Sequence, residues 1–448
     1  MRDLIITIIV FGALPFALKK PSNGVLLWSW LGYMNPHRLT WGFAYNFPFA
    51  QLAAIATILG LIISREPKKF PWAPVTIVLI LFVIWVSITT IFALEPDDAF
   101  TKWEKVMKIQ VMTFVTLLVM AQRERLHMLI WVIVVSLGFY GVKGGVFTIL
   151  TGAQHHVLGP PKSFISGNTE IGLALIMTLP LMRYLQLNTS NKWVRRGLTV
   201  AMLLTGVAIL GTYSRGALLG GVAMALFLLI KSRKKVLVGI VVLVSIPIMI
   251  SMMPGKWFGR MDTIQNYQGE QSAMERIFAW RFGYKIGIDR ITGGGFGSFT
   301  GDNYQRFAPD VVIDALSFGI PEYKIYQSAH SIYFGVLGEH GVIGLVLFLF
   351  LGVLWWRTAS SAIRQAKNRK DLKWAVDLAA MIQASLVGYA VGGAFLSLEY
   401  FDLVYHLIAV TVLVKVLVEK AIVEEEMGHP DSPPHRSSLQ HVRRSRTN

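Results

Sequence analysis

Apolar runs separated by short polar stretches recur along almost the whole of this 448-residue chain. Most are about 17 to 25 residues long, enough to cross ~30 Å of hydrocarbon as a helix. They fall at 41–64, 72–94, 103–121, 127–150, 168–187, 197–213, 215–231, 236–252, 330–356, 374–394 and 403–420, which makes eleven. Before residue 41 the pattern weakens. Leu4 to Leu18 is apolar but short, Val25 to Met34 is shorter, and Lys19, Lys20 and Pro21 separate them. One crossing is expected there, with the second piece at the interface, where the rings of Trp28, Trp30 and Tyr33 suit headgroup level. Ala17-Leu18-Lys19-Lys20 is not a small-residue cleavage site, so no cleaved signal peptide is expected. The predicted fold is all-α, a polytopic integral membrane protein of about 12 transmembrane helices with both termini on one side.

One long polar segment interrupts the pattern. Residues 1–252 hold transmembrane helices 1 to 8 or 9, residues 253–329 form a large extramembrane loop, residues 330–420 return to the membrane, and residues 421–448 read as a disordered tail rich in proline and serine. Loops of that length inside a compact bundle are usually functional or disordered. Trp257, Phe278, Trp280, Phe282 and Tyr304 argue against disorder here. Met274 to Ile288 has helical periodicity, with Arg276, Trp280 and Gly283 along one stripe. The run Gly293-Gly294-Gly295-Phe296-Gly297 ends it, either as a plain turn or as a phosphate cradle.

Composition supports the membrane assignment, with 54% hydrophobic and 15% charged residues. Charge then orients it. Alternate loops hold Arg65, Lys68 and Lys69; Arg123 and Arg125; Lys192, Arg195 and Arg196; Lys231 to Lys235; and Arg357 to Lys373. Cytoplasmic loops accumulate such residues, so the remaining loops, including 253–329, face outward. The formal charge of +17 belongs mainly to these loops and to the tail, and anionic membrane lipids account for it without nucleic acid. The absence of cysteine excludes disulfides and thiol chemistry.

Candidate chemistry gathers on the outward side. Arg215 lies between two crossings joined by almost no loop, where the positive-inside rule disfavours arginine; it either snorkels to headgroups or turns inward to hold an anion. Gly216 and Gly220 allow a neighbouring helix to approach. His330 opens the next apolar run, with glycines at 335, 338, 341 and 344 forming a ridge along one face. A helix N-terminus disfavours imidazolium, which suits a general base, although a structural histidine is the plainer reading. Ser331 either caps that helix or binds substrate. Glu339 and His340 lie deeper in it. Glu95, Asp97 and Asp98 read as a solvated turn, His155 and His156 as surface residues, and Glu399 and Asp402 as flanks of the last outward turn. No metal site and no cofactor are expected.

His330-Ser331, nine residues, Gly341, two residues and Gly344 match the signature of the O-antigen ligase family, which the chain thereby resembles. Ser214-Arg215-Gly216-Ala217 is similar to that family's second hallmark. Glu275-Arg276 with Trp280, followed by Gly293 to Phe299, is similar to its third. The first hundred residues resemble a subgroup of O-glycosylation ligases associated with exosortase systems.

The resemblance implies an inverting, metal-independent glycosyltransferase of the GT-C type in the bacterial inner membrane, with its active site facing the periplasm. It implies a glycan donor linked to undecaprenyl diphosphate and an acceptor hydroxyl on lipid A-core oligosaccharide. On that expectation His330 is the catalytic base, Arg215, Arg276 and Arg281 bind the diphosphate, and Ser331, Tyr213, Trp280 and Lys285 are further substrate contacts. An O-antigen polymerase or a protein O-oligosaccharyltransferase uses the same donor, and a lipid-glycan transporter is the alternative without chemistry.

Overall fold

The computed structural model describes residues 1–231, 250–251, 253–262 and 271–428, and among them every regular element is a helix. α1 (Arg2–Lys19) and α2 (Pro21–Met34) precede two 3-10 turns at Pro36–Leu39 and Phe43–Tyr45. Then come α3 (Phe49–Ile63), α4 (Pro74–Ile91), α5 (Pro96–Val119), α6 (Arg123–Leu150), α7 (Asn168–Leu187), α8 (Lys192–Gly211) and α9 (Arg215–Lys231). The polar segment carries α10 (Gly255–Asp262), α11 (Gln271–Asp289), α12 (Gly301–Phe307) and α13 (Pro309–Ser317). The chain re-enters the bundle through α14 (Ile332–Ala366), α15 (Lys373–Gly393) and α16 (Asp402–Gly428). Among the described residues α4, α6, α7, α8, α14 and α15 are long and apolar enough to cross a membrane. The run at 236–252 lies almost wholly outside the described residues, as do residues 429–448 of the tail; residues 421–428 are helical.

Among the described residues the basic loops collect at one end of the bundle, where Arg125 makes a bidentate pair with Glu66 at 2.7 and 2.8 Å. The His330 motif lies at the other end. α1 and α2 differ from the sequence expectation. A reversal at Lys20-Pro21 makes them an antiparallel hairpin whose turn packs beside the end of α3, with Gly60 against the carbonyls of Ala17 and Leu18. Arg2 and Asp3 instead bond to Leu39, Gly42 and Ala44 at the motif end. Met1 and residue 428 therefore lie at opposite ends. Nor do Trp28 and Tyr33 sit at an interface: they are 6% and 0% exposed, and the Tyr33 hydroxyl meets His406 Nδ1 of α16 at 2.5 Å.

α14 is two helices. At Gly341 the backbone takes φ 67°, ψ −174°, a region open only to glycine, and the chain turns there. The nine residues from Ile332 to His340 run across the mouth of the bundle, from α15, where the Tyr333 hydroxyl donates to Ala390 O at 2.8 Å, to α4, where His340 meets Thr89 at 2.6 Å. The membrane-crossing part begins after the break. The glycine ridge accordingly ends at Gly341, because Gly344 packs against His340 and Trp85 on the second piece. A Cβ at position 341 would stand 2.2 Å from the Ile291 carbonyl. Gly341→Ala is expected to destabilise the protein by about 3 kcal/mol or more, since it combines a forbidden backbone region with a clash against main chain. Thermal unfolding in detergent checks this; a melting temperature within about a degree of wild type contradicts the break.

Candidate active site

Five segments meet at the motif end: the α8–α9 turn, the start of α7, α11, the start of α14 and the turn between α15 and α16. Ser214 caps α9, its Oγ accepting from Ala217 N at 3.1 Å. Tyr213 holds φ 57°, stacks on His156 with ring centres 4.8 Å apart, and donates its hydroxyl to Ala153 O at 2.5 Å. Gly216 and Gly220 pack against Phe395 and against the Gly388 and Gly392 backbone of the α15 end. Asn168 Nδ2 donates to Thr212 O at 2.7 Å, which ties the start of α7 to the same turn. Capping, stacking and close packing thus use the neighbours of Arg215 and fix its place as the first residue of α9.

Trp280 of α11 joins this group to His330. Its indole stacks on Phe334 with centroids 5.2 Å apart and planes at 10°, lies 6.0 Å from Phe395, and donates Nε1–H to Ala329 O at 2.7 Å. The bond to Ala329 holds the chain immediately before His330. His330 itself has φ 44°, a left-handed conformation that costs a non-glycine residue about 1 kcal/mol or more. Ser331 then caps α14, accepting from Tyr333 N at 3.4 Å and Phe334 N at 3.5 Å. Strain, cap and tryptophan together fix the backbone on both sides of His330. Burial holds its pKa below the usual histidine value, the guanidinium of Arg276 lowers it further, and Glu170 in the first turn of α7 opposes them. The ring is therefore neutral at neutral pH and able to accept a proton.

Arg276 comes close enough to His330 to act on its charge, and Arg215 is linked to the same place through Gly216, Phe395 and Trp280. Arg281 and Lys285 are elsewhere. They extend from the α11 face toward α13, where Arg281 bonds Asp314 at 2.7 Å and Asp310 at 3.4 Å, and Lys285 pairs with Asp310. The glycine run is not a phosphate cradle either. The break at Gly341 frees the carbonyls of Gly338 and Glu339 from helical partners, and Gly294 N–H and Gly295 N–H bond to them, each at 2.8 Å. Its amides are spent on anchoring the loop to the broken helix.

Below His330 lies a buried polar group that the sequence left unread. Lys102 of α5 reaches Glu339 Oε1 at 2.6 Å, and the Tyr400 hydroxyl donates to Glu339 Oε2 at 2.8 Å. Glu399 is 6% exposed and lies against Gly335, with its Oε2 lacking any hydrogen-bond partner. Burial pushes its carboxyl up to about 7, with Lys102 opposing and Glu339 and Glu170 reinforcing the rise. Glu399 is thus more than a turn residue. Glu95 is structural, accepting from Thr300 Oγ1 at 3.0 Å and Asn303 Nδ2 at 3.1 Å, while Asp97 and Asp98 occupy the first turn of α5, where a helix favours acidic side chains. Among the described residues no three His, Asp or Glu side chains form a group able to hold a metal ion.

Breaking the Lys102–Glu339 pair leaves a carboxylate stranded at 5% exposure. Lys102→Met is expected to cost about 2–3 kcal/mol, the low side for such pairs because the lysine side chain remains 36% exposed. Adding Glu339→Gln recovers much of that loss. Thermal unfolding of the single and double variants checks it, and strict additivity contradicts a coupled pair.

No curated protein matches the chain. Residues 1–190 match a family of unknown function, which leaves the resemblance to exosortase-associated ligases as an expectation. Residues 200–349 match the family described as O-antigen ligase, and this stretch contains Arg215, Arg276, Trp280, His330, Gly341 and Gly344. Over this stretch the chain is similar to the O-antigen ligase family, as the histidine motif implied.

Proposed function

We propose that the chain is an inverting, metal-independent glycosyltransferase that moves a glycan from undecaprenyl diphosphate to a sugar hydroxyl of lipid A-core oligosaccharide, at the periplasmic face of the bacterial inner membrane. The match of residues 200–349 to the O-antigen ligase family supports the general class, a ligase acting on a lipid-linked glycan. The observation that carries the finer reading is the pairing of a strained, neutral histidine with Arg276 at the mouth of a membrane bundle.

In this reaction the acceptor hydroxyl gives its proton to the His330 ring while its oxygen attacks the anomeric carbon. The bond from that carbon to the diphosphate oxygen breaks, and its electron pair leaves with undecaprenyl diphosphate. One displacement inverts the anomeric configuration. A diphosphate is already a good leaving group, so cations matter more than an acid, and the planar forks of Arg215 and Arg276 match its oxygens. Arg281 and Lys285, neutralised by Asp310 and Asp314, serve the loop.

Protein reconstituted in liposomes with lipid-linked donor, and offered either lipid A-core or a serine-rich protein acceptor, tests the assignment. Glycosylated lipid A-core in the presence of chelator is the expected product. Glycosylated protein alone, or polymerised glycan on the lipid, assigns the same machinery to another acceptor. Glycan that crosses the bilayer unreacted points to a transporter.

A further inference from the structure

We propose that the N-terminal region holds a separate site for a lipid with an anionic phosphate headgroup. A cavity of about 520 Å³ opens at the motif end between α2, α3, α5 and the loop before α7. Its rim is cationic. Arg38 and Lys162 both approach the ring of Tyr45, at 5.0 and 5.4 Å, and Lys105 Nζ lies 3.9 Å over Phe164. Among the described residues none of these three cations makes a salt bridge to a carboxylate. Two carboxylates also line the cavity, but Glu104 is paired with Lys108 at 2.7 Å, which leaves Asp402 to face the other three charges.

Two cations gathered on one ring repel each other. Arg38 also donates to Tyr45 O at 2.8 Å and to Asn46 Oδ1 at 3.0 Å, but both acceptors are neutral, so an anion beside the pair would offset the repulsion. A second observation agrees. His37 lines the same cavity, is 8% exposed, and its Nδ1 is buried with no hydrogen-bond partner. A phosphate oxygen at the rim would accept from it. Deeper in the cavity the lining changes to Ala54, Ile55 and Ile58 of α3 and Met112 of α5, with Ile55 47% exposed. Apolar walls exclude a free anion as the natural occupant, and the cationic rim disfavours a neutral lipid. An anionic headgroup above a hydrocarbon chain satisfies both.

Full-length protein in phosphatidylcholine nanodiscs, doped with equal amounts of phosphatidic acid, undecaprenyl phosphate and phosphatidylglycerol, provides the test, with retained lipid identified by native mass spectrometry. Wild-type protein is expected to keep an anionic lipid in preference to phosphatidylcholine, and the competition identifies which one. Arg38→Gln/Lys105→Gln/Lys162→Gln together lower that preference about tenfold or more. Ile55→Trp leaves the charges in place, fills the apolar part and lowers retention of every lipid. Arg195→Gln/Arg196→Gln, at the other end of the bundle, leaves retention unchanged. Equal retention of phosphatidylcholine by wild type, or undiminished anionic preference in the triple variant, overturns the proposal. The readout is bound lipid and not transfer, so it stands independently of the function proposed above.

Discussion

Replacing His330 by glycine is expected to lower glycan transfer about 10²- to 10⁴-fold while leaving donor binding nearly intact, which is the range a positioned general base contributes. Glycine is the informative substitution because His330 holds φ 44°. Alanine adds backbone strain to the loss of the ring, whereas glycine removes the ring and relieves the strain. His330→Gly should therefore be at least as stable as wild type and still inactive. His330→Asn, which tolerates the same backbone and cannot accept a proton strongly, separates hydrogen bonding from base chemistry. The pH profile gives an independent sign. Burial and Arg276 lower the His330 pKa and Glu170 raises it. A base with a lowered pKa stays unprotonated as pH falls through the usual histidine range, so transfer should persist below pH ~6.5. Glu170→Gln should move the acid limb to lower pH, and Arg276→Gln to higher pH. Limbs that move in the same direction in both variants contradict the assignment.

The second large effect concerns the arginines. Arg215→Met and Arg276→Met are each expected to reduce kcat about 10²- to 10³-fold, the loss seen when one preorganised stabiliser of developing negative charge is removed. Lysine at either position should restore only part of it, because a point charge does not reproduce the fork. The losses should be larger for a lipid diphosphate donor than for a monophosphate analogue, which asks less of the clamp. Arg281→Met and Lys285→Met serve as internal controls: their partners are Asp310 and Asp314, and transfer should change only a few-fold. Equal loss across all four variants would mean that general electrostatics, and not a two-arginine clamp, binds the donor.

The lengths of the apolar runs announced the bundle because a membrane permits few alternatives to a helix of about 20 residues. Loop charge likewise separates the two ends of the bundle. What the sequence concealed depends on distant partners. Trp28 and Tyr33 look interfacial until His406, more than 370 positions away, buries them. Arg281 and Lys285 look free until α13 brings Asp310 and Asp314 beside them. Glu170 gave no local signal at all; only the Asn168–Thr212 bond places the start of α7 beside the α8–α9 turn. The helix break inside an unbroken apolar run was visible only as Gly341, and spacing alone does not distinguish a packing glycine from one with φ 67°. The histidine motif owes its fixed spacing to this break. His330 and Gly341 are the two ends of a short helix laid across the mouth, and the glycine run at 293–297 bonds to its last carbonyls.

Analysis of both products of a single turnover tests the central claim most directly. Reconstituted wild-type protein is given lipid-linked donor of known anomeric configuration together with lipid A-core acceptor, and the new glycosidic bond is read by nuclear magnetic resonance while the released lipid is weighed by mass spectrometry. A base-assisted displacement on a diphosphate donor predicts an inverted anomeric centre and undecaprenyl diphosphate released in equal amount. Retained configuration, or release of undecaprenyl monophosphate, contradicts it.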